Sequence, residues 1–383
     1  MKILILSEVC FNDNIIPMYK AMLDKGLDVT CLINLSSLKI ALFEIKERLP
    51  KQAIIHANEY PELQIYNNYV DMSRMFLVNH QVDINHPWRE LTSALAIMNF
   101  IRKGKYDVIH CDFPFQRAKL LLYSFRKKIV WVQHDPFPHS GHNYPWEYRK
   151  ALSLAYKFIP KFVILNHYHF DRYCKEHHLN PSQVYVNRLG PLECINLFKK
   201  SDVKQRRNNV LFFGRIVQYK GVEYLCEAMK TVHESIPDAT VTIAGSGKFY
   251  FDIEPYRALP YFEIHNRFIK EEELALFLEQ CSISICAYTD ATQSGGILTS
   301  FAMQKPVIVS DLETLKEMVT DGYDCLLVPP KDSDALARAI IRLLNDVSLR
   351  ETITNNIKKE SQSGSLSWSA IVDKYLEIYN SLQ

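Results

Sequence analysis

The strongest constraint on this chain is the regular alternation of short apolar, β-branched runs with longer stretches of helical period. In the first half the runs are KILIL, VTCLI, DVIHC, KIVWVQ, FVIL and QVYV; in the second they are NVLFFG, ATVTIAG, YFEIHN, SISICAY, PVIVS and CLLVPP. Such runs are apolar on both faces, as strands of a helix-covered parallel sheet must be. Between the later ones lie KGVEYLCEAMKTVHESI, EEELALFLEQ, GGILTSFAMQ and DSDALARAIIRLLND, each with an amphipathic helical period. The pattern predicts an α/β protein of doubly wound parallel sheets. At 383 residues the chain exceeds what one ordinary core fills, so two domains are expected. The stretch 187–208, with Gly, Pro and a charge run, reads as the linker between them. HANEYPELQIYNN, within 50–87, follows neither period and is expected to form an irregular insertion.

Hydrophobic content of 48% and charged content of 23% exclude general disorder. The opening MKILILSEVC has an apolar run that stops at Ser7 and Glu8, short of the roughly 7–15 residues of an export signal, and reads as a buried first strand. No stretch approaches the ~20 apolar residues of a membrane span, so a cytoplasmic location is expected. The nine cysteines contain no CxxC pair and read as small buried hydrophobes in a reducing compartment. His167, His169, His177 and His178 cluster without acidic or thiol ligands at metal spacing, which suits a solvated helix face better than a metal site. Residues 1–190 hold 24 Lys and Arg against 17 Asp and Glu, leaving 21 against 26 for the rest. The basic N-terminal half, with Arg126-Lys127-Lys128 and Arg149-Lys150, suits peripheral contact with an anionic surface such as the inner face of the cell membrane; a generally basic surface explains it equally. Nucleic-acid binding would need a denser basic stripe and a recognisable module, and neither is present.

Ligands of doubly wound domains bind beyond the carboxyl ends of the strands, so the strand-to-helix loops are where chemistry is sought. Gly214-Arg215 through Lys220-Gly221 follows an apolar strand and opens a helix. A guanidinium and an ammonium near a helix start can hold a diphosphate, though a surface loop with two solvated cations has the same composition. Gly245 and Ser246, in AGSGK, match neither a phosphate-binding P-loop nor a dinucleotide fingerprint. They fit a close backbone approach to a ligand or a plain tight turn. In Gln293-Ser294-Gly295-Gly296 the doubled glycine opens the backbone at a helix start, a nest for phosphate oxygens; an N-capped helix after a glycine turn explains Ser294 but not the doubled glycine. In the N-terminal half, KIVWVQ runs into His134-Asp135-Pro136, where His134 is placed either to face a ligand or to serve as a structural histidine.

Taken in order, NVLFFGRIVQYKGVEYLCEAM, ATVTIAGSGKF, HNRFIKEEELALFLEQCSISICAY, ATQSGGILTSFAMQKPVIVSD and DGYDCLLVPPKDSDALARAI resemble successive segments of the large retaining GT-B glycosyltransferase family usually numbered four, glycosyl transferases group 1. The resemblance runs over about residues 208–345 and is weaker in residues 1–190, where YDVIHCD and VWVQHD carry it. It implies a GT-B architecture of two Rossmann-like domains facing an interdomain cleft: 1–195 for the acceptor, 196–365 for the nucleotide-sugar donor. Residues 366–383, including SWSAIVDKYLEIY, would form a helix returning to the N-terminal domain. It further implies that Arg215 and Lys220 bind the donor diphosphate, that His134 lies near the donor sugar, and that these three serve catalysis. Gly214, Gly245, Ser246, Arg267, Phe268, Gln293, Ser294, Gly295, Gly296 and Thr299 would complete the donor site. The implied reaction moves a sugar from a UDP- or GDP-linked donor to a hydroxyl of a glycan or lipid-linked glycan, with retention of configuration and without a metal or other cofactor. Bacterial surface polysaccharide synthesis is the family's common use.

The sequence departs from the family in one respect. The paired glutamates, eight positions apart, would fall at Ala291 and Thr299, and neither is acidic. A branch of the family with QSG in this loop shares the loss, and Gln293, Ser294 and Gly295 match it. Altered donor recognition is the expected consequence. The competing reading is a weak or inactive GT-B protein that binds nucleotide-sugar or glycan as the partner of another transferase. A GT-B epimerase or phosphorylase is a third reading, for which no lysine is placed to carry the phosphorylases' pyridoxal cofactor.

Overall fold

The computed structural model describes residues 1–35, 52–79, 87–113, 115, 117–137 and 145–382. They divide into two compact units, one built from the chain up to Leu189 together with Trp368 onward, the other from Gly190–Ser367.

The first unit is built on β1 (Lys2–Glu8), β2 (Asp28–Leu35), β3 (Ile54–His56), β4 (Met75–Asn79), β5 (Val108–Cys111), β6 (Ile129–Gln133), β7 (Lys161–Ile164) and β8 (Val184–Val186). Their order among the described residues is β3-β4-β2-β1-β5-β6-β7-β8. All neighbours pair parallel except β3 with β4. Its helices are α1 (Asn12–Asp24), α2 (Pro87–Gly104), α3 (Trp146–Phe158) and α4 (Phe170–His177). The strand sequences were legible because Ile3, Leu4, Ile5 and Leu6 are wholly buried, as a doubly covered strand requires. Within 50–87, HANEYPELQIYNN is irregular as expected, with 3-10 turns at Ala57–Glu59 and Pro61–Asn68, but its flanks supply β3 and β4, which extend the sheet beyond β2; 50–51 and 80–86 lie outside the described residues. β3 is three residues long, too short to show a period, and FLVN is brief and flanked by polar residues.

The second unit has β9 (Asn209–Phe213), β10 (Thr240–Gly245), β11 (Phe262–Asn266), β12 (Ile283–Cys286), β13 (Val307–Ser310) and β14 (Cys325–Val328), ordered β11-β10-β9-β12-β13-β14 and parallel throughout. Its helices are α5 (Val222–Ser235), α6 (Glu254–Arg257), α7 (Glu271–Gln280), α8 (Gly295–Ala302), α9 (Glu313–Lys316), α10 (Ser333–Asn345) and α11 (Val347–Ser363). Caps fix where these start: Asp332 accepts from Ala335 N at 2.8 Å and Asp346 from Leu349 N at 2.9 Å. The main core runs from Val210 and Phe212 through Leu225, Met229, Ile285 and Phe301 to Leu336, Ile340 and Leu343.

Two parts of the linker reading change. The division falls at Leu189/Gly190, ahead of residue 195. Residues beyond it are anchored to the second unit: Leu192 N donates to Leu298 O at 3.3 Å, and Ile195 packs with Leu211, Phe213 and Phe277. The last helix, α12 (Trp368–Asn380), belongs to the first unit. Tyr379 Oη lies 2.7 Å from buried His110 Nδ1, Asn187 Nδ2 donates to Ile371 O at 3.2 Å, and Lys25 pairs with Asp373 at 2.8 Å. Eight of the nine cysteines are buried, and Cys10 is half-buried. The histidine cluster is not a solvated face throughout. His169 is buried with its ring edge-on to Phe137, and His177 stacks on Tyr156 at 4.2 Å.

Candidate functional site

In each sheet the strand order reverses at one place, between β1 and β5 in the first and between β9 and β12 in the second. Loops leaving two such strands diverge to opposite faces and open a crevice at their carboxyl ends. In the second unit those loops are 214–221 and 287–294, which hold Gly214, Arg215, Lys220, Gln293 and Ser294 among the residues singled out by the sequence.

The first loop leaves β9 through Gly214 at φ 112°. Gly214 N donates to Ala244 O at 3.0 Å and Ile216 N to Ser246 O at 2.9 Å, tying this loop to the one after β10. That contact explains Gly245: a Cβ there would lie 1.8 Å from Gly214 O. Gly245 thus has a packing reason, a close approach of backbone to backbone, and Ser246 takes part in it through its carbonyl. After a short 3-10 turn at Gln218–Lys220, Gly221 adopts φ 64° and α5 begins. A Cβ on Gly221 would meet Ala287 O at 1.9 Å, and Thr289 N donates to Tyr219 O at 2.7 Å. The loops after β9 and β12 are thus locked together.

Lys220 is held at this junction. Its ammonium donates to Tyr288 Oη at 2.6 Å and sits 3.8 Å from the centre of the Tyr288 ring. Tyr288 is buried; Ser294 Oγ also donates to its hydroxyl, at 3.2 Å. Burial lowers the Lys220 pKa to about 8, and the Arg215 guanidinium adds to the lowering. Arg215 is exposed. No ion pair to either cation exists among the described residues, so two positive groups face one region with only a neutral phenol as acceptor. Arg267 differs. It forms a two-pronged pair with Glu273 in the first turn of α7, one contact at 2.6 Å, and Phe268 beside it is 61% exposed. The structure does not bring these two into the Lys220 network.

Ser294 caps α8, its Oγ accepting from Ile297 N at 3.2 Å. The cap leaves the first-turn N–H groups of Gly295 and Gly296 outside the helix's own hydrogen bonds. Gly296 has a packing reason, since a Cβ would stand 3.0 Å from Tyr288 Oη; Gly295 has none, its nearest atom being Leu192 Cδ1 at 3.7 Å. The Gln293 Nε2 is buried without an acceptor. Thr299 Oγ1 donates back to Gly295 O at 2.8 Å, so its proton is used within the helix. Ala291 is 4% exposed in the main core, where a carboxylate could not be placed without repacking.

In the first unit the loops after β1, β5 and β6 gather a second cluster. His134 stacks on Phe11 at 3.9 Å, and its Nε2 lies 3.7 Å from Asp112 Oδ2. Ser7 Oγ donates to the same oxygen at 2.7 Å. Burial raises the Asp112 pKa against the opposing effects of His134 and Ser7. Asp112 Oδ1, Asn12 Oδ1 and Asn34 Oδ1 are buried without donors. Sequence reasoning missed Asp112, Tyr288 and the three unpaired oxygens. Asp112 was signalled by an acid directly after the strand DVIHC; Tyr288 carried no signal, reading as one more aromatic at a strand end.

Comparison with known proteins bears on both units. The architecture is that of GT-B glycosyltransferases, two Rossmann-like parallel-sheet domains. The Anabaena protein HepE in complex with UDP-glucose superposes with a TM-score of 0.65 at 18% identity, over all of both chains. Residues 207–346 match the model of the family glycosyl transferases group 1, which supports that family for this chain. An uncharacterised glycosyltransferase of Methanocaldococcus jannaschii is 28% identical over 52% of this chain and 52% of its own length. The UDP-Gal:α-D-GlcNAc-diphosphoundecaprenol α-1,3-galactosyltransferase of Escherichia coli is 22% identical over 76% of this chain and 79% of its own. The chain spans about half the length of the first curated relatives it matches.

Proposed function

We propose that this protein is a glycosyltransferase that moves a sugar from a UDP- or GDP-linked donor to a hydroxyl of a glycan or lipid-linked glycan, with retention of configuration, in surface polysaccharide synthesis. The observation that carries the reading is the pair Arg215 and Lys220, two cations at the β9/β12 crevice without a counter-ion among the described residues. Burial makes the Lys220 charge costly unless an anion completes it, the exposed Arg215 adds a second cation, and a nucleoside diphosphate supplies two negative phosphates. The UDP-binding structural neighbour and the Escherichia coli relative point the same way.

The chemistry follows from where charge develops. As the bond between the sugar's anomeric carbon and the β-phosphate oxygen breaks, negative charge grows on that oxygen. Arg215, Lys220 and the amides of Gly295 and Gly296 stabilise it. The acceptor oxygen bonds to the anomeric carbon on the face that the phosphate leaves, and its proton passes to the departing phosphate. No metal enters the proposed step. His134, aligned by Asp112, is assigned to the sugar. The basic N-terminal half is assigned to peripheral contact with the membrane that carries a lipid-linked acceptor. Among the described residues no helix is long and apolar enough to cross a membrane.

The test is incubation of the purified protein with a panel of nucleotide sugars. Slow donor hydrolysis, reduced by about 100-fold or more in Arg215→Ala and Lys220→Ala with the fold intact, supports the enzyme. Binding without turnover under any acceptor supports the non-catalytic partner. Wild-type rates in either variant refute the diphosphate assignment.

A further inference from the structure

The imidazole of His134 is gripped by residues from β1, from the turn after it and from the end of β5. Phe11 closes the short 3-10 turn Val9–Phe11, and its ring stacks on His134 with centroids 3.9 Å apart and planes within 7°. That contact fixes the plane of the imidazole. It does not fix which edge faces inward, because flipping the ring over keeps the stack and exchanges Nε2 for Cε1 and Nδ1 for Cδ2. Asp112 settles the choice, since its Oδ2 lies 3.7 Å from His134 Nε2. Ser7 Oγ donates to the same oxygen at 2.7 Å and keeps the carboxylate from turning away. The Asp112 side chain is wholly buried, and no other cation pairs with it among the described residues. Burial and Glu8 work against its charge; His134 and Ser7 work for it. His110, on β5, does not compete. Burial, with His134 adding to it, lowers the His110 pKa to about 3, and its Nδ1 is engaged by Tyr379 Oη at 2.7 Å.

In a neutral imidazole the nitrogen that faces a carboxylate carries the proton, which leaves the other with a bare lone pair. Here that other nitrogen is Nδ1. It has no partner among the described residues, and the ring keeps 12% of its surface exposed at the carboxyl end of β6, where ligands of such sheets bind. We propose that Ser7, Phe11 and Asp112 are positioning residues that hold neutral His134 as the Nε2–H tautomer, so that Nδ1 accepts a hydrogen bond from a sugar hydroxyl. The proposal rests on the glycosyltransferase reading and narrows its substrate. The group met by His134 must be a hydrogen-bond donor, so a sugar with a hydroxyl there is taken over one with a carboxylate or a deoxy carbon. A carboxylate would face the Nδ1 lone pair with the Asp112 charge behind it. A deoxy carbon would leave Nδ1 unpaired, the usual way a site built for a hydroxyl rejects the analogue lacking it.

The experiment reads the ring nitrogens of His134 by NMR in the full-length protein carrying isotopically labelled histidine, in the neutral form, with His134→Ala identifying the signals. The wild type should show Nε2 protonated and Nδ1 bare. Asp112→Asn removes the charge and offers an amide donor to Nε2, so it should move the population toward Nδ1–H. Ser7→Ala lets the carboxylate turn and should give a mixture of tautomers. UDP-glucose or GDP-mannose should shift the wild-type Nδ1 signal upfield as it accepts a hydrogen bond, while UDP or GDP alone should not. In donor hydrolysis, Asp112→Asn and Phe11→Leu should lower kcat by about tenfold or more with the donor KM unchanged, and Phe11→Tyr, which keeps the stacked ring, should recover most of that loss. Nδ1–H in the wild type, the wild-type tautomer in Asp112→Asn, or an Nδ1 signal unmoved by a nucleotide sugar that binds would overturn the proposal. Should Asp112→Asn fail to fold, Ser7→Ala decides, and an unchanged tautomer there has the same force. The free-protein spectra need no nucleotide, so failure of the diphosphate assignment is read separately, as absence of UDP and GDP binding.

Discussion

Replacing Tyr288 with Phe removes a single oxygen from the Lys220 network while keeping the buried ring and its cation–π contact. That oxygen accepts from the Lys220 ammonium at 2.6 Å, and hydrogen bonds to charged groups contribute about 1.5–3 kcal/mol. The bond favours the charged form, so losing it lowers the Lys220 pKa further from its present value of about 8. At about 1.4 kcal/mol per pKa unit, the expected fall is one unit or more. The ammonium is present below the pKa and lost above it. If diphosphate binding needs the ammonium, the UDP or GDP association constant of the wild-type protein declines as pH rises through about 8, and that of Tyr288→Phe declines about one unit earlier. The two should therefore differ by about twofold at pH 7, by about fivefold at pH 8 and by about tenfold above pH 9. Calorimetric titration between about pH 7 and pH 10 reads this directly. A loss of equal size at every pH would mean that Tyr288 acts through packing alone, and an unmoved limb would refute the hydrogen-bond argument.

Three further outcomes are expected. Gly245→Ala drives a Cβ to 1.8 Å from the Gly214 carbonyl; it should cost about 2–4 kcal/mol in denaturant unfolding and weaken nucleotide binding, whereas Gly295→Ala, whose Cβ makes only an ordinary contact with Leu192 Cδ1 at 3.7 Å, should leave stability unchanged. His134→Ala should lower turnover by about tenfold or more while UDP and GDP affinities stay at wild-type values, and loss of nucleotide binding would contradict its assignment to the sugar. Tyr379→Phe leaves buried His110 Nδ1 without its 2.7 Å partner and should reduce unfolding stability by about 1–3 kcal/mol; no change in the melting curve would show that this bond does not help hold α12.

The sequence determined the core strands, because each is short, β-branched and covered on both faces, and with them the largely parallel pairing; β3 and β4, which pair antiparallel, were not legible. It determined the chemical character of the loops as well: Arg215 and Lys220 follow a strand, and Ser294 precedes two glycines at a helix start. What it left open depends on contacts between residues far apart in the chain. Why position 245 is glycine was decided by Gly214, some thirty positions earlier, whose carbonyl occupies the space a Cβ would need. Which of the three arginine and lysine candidates is paired was decided by Glu273, which takes Arg267, whereas Arg215 and Lys220 have no carboxylate partner among the described residues. Tyr288 became part of the site only because β9 and β12 are neighbours in the sheet, which sets its hydroxyl against an ammonium from a loop 68 residues away. A pattern read along one chain records what a residue is and which face it presents. The partner that fixes its charge state comes from another strand, and only the folded sheet supplies it.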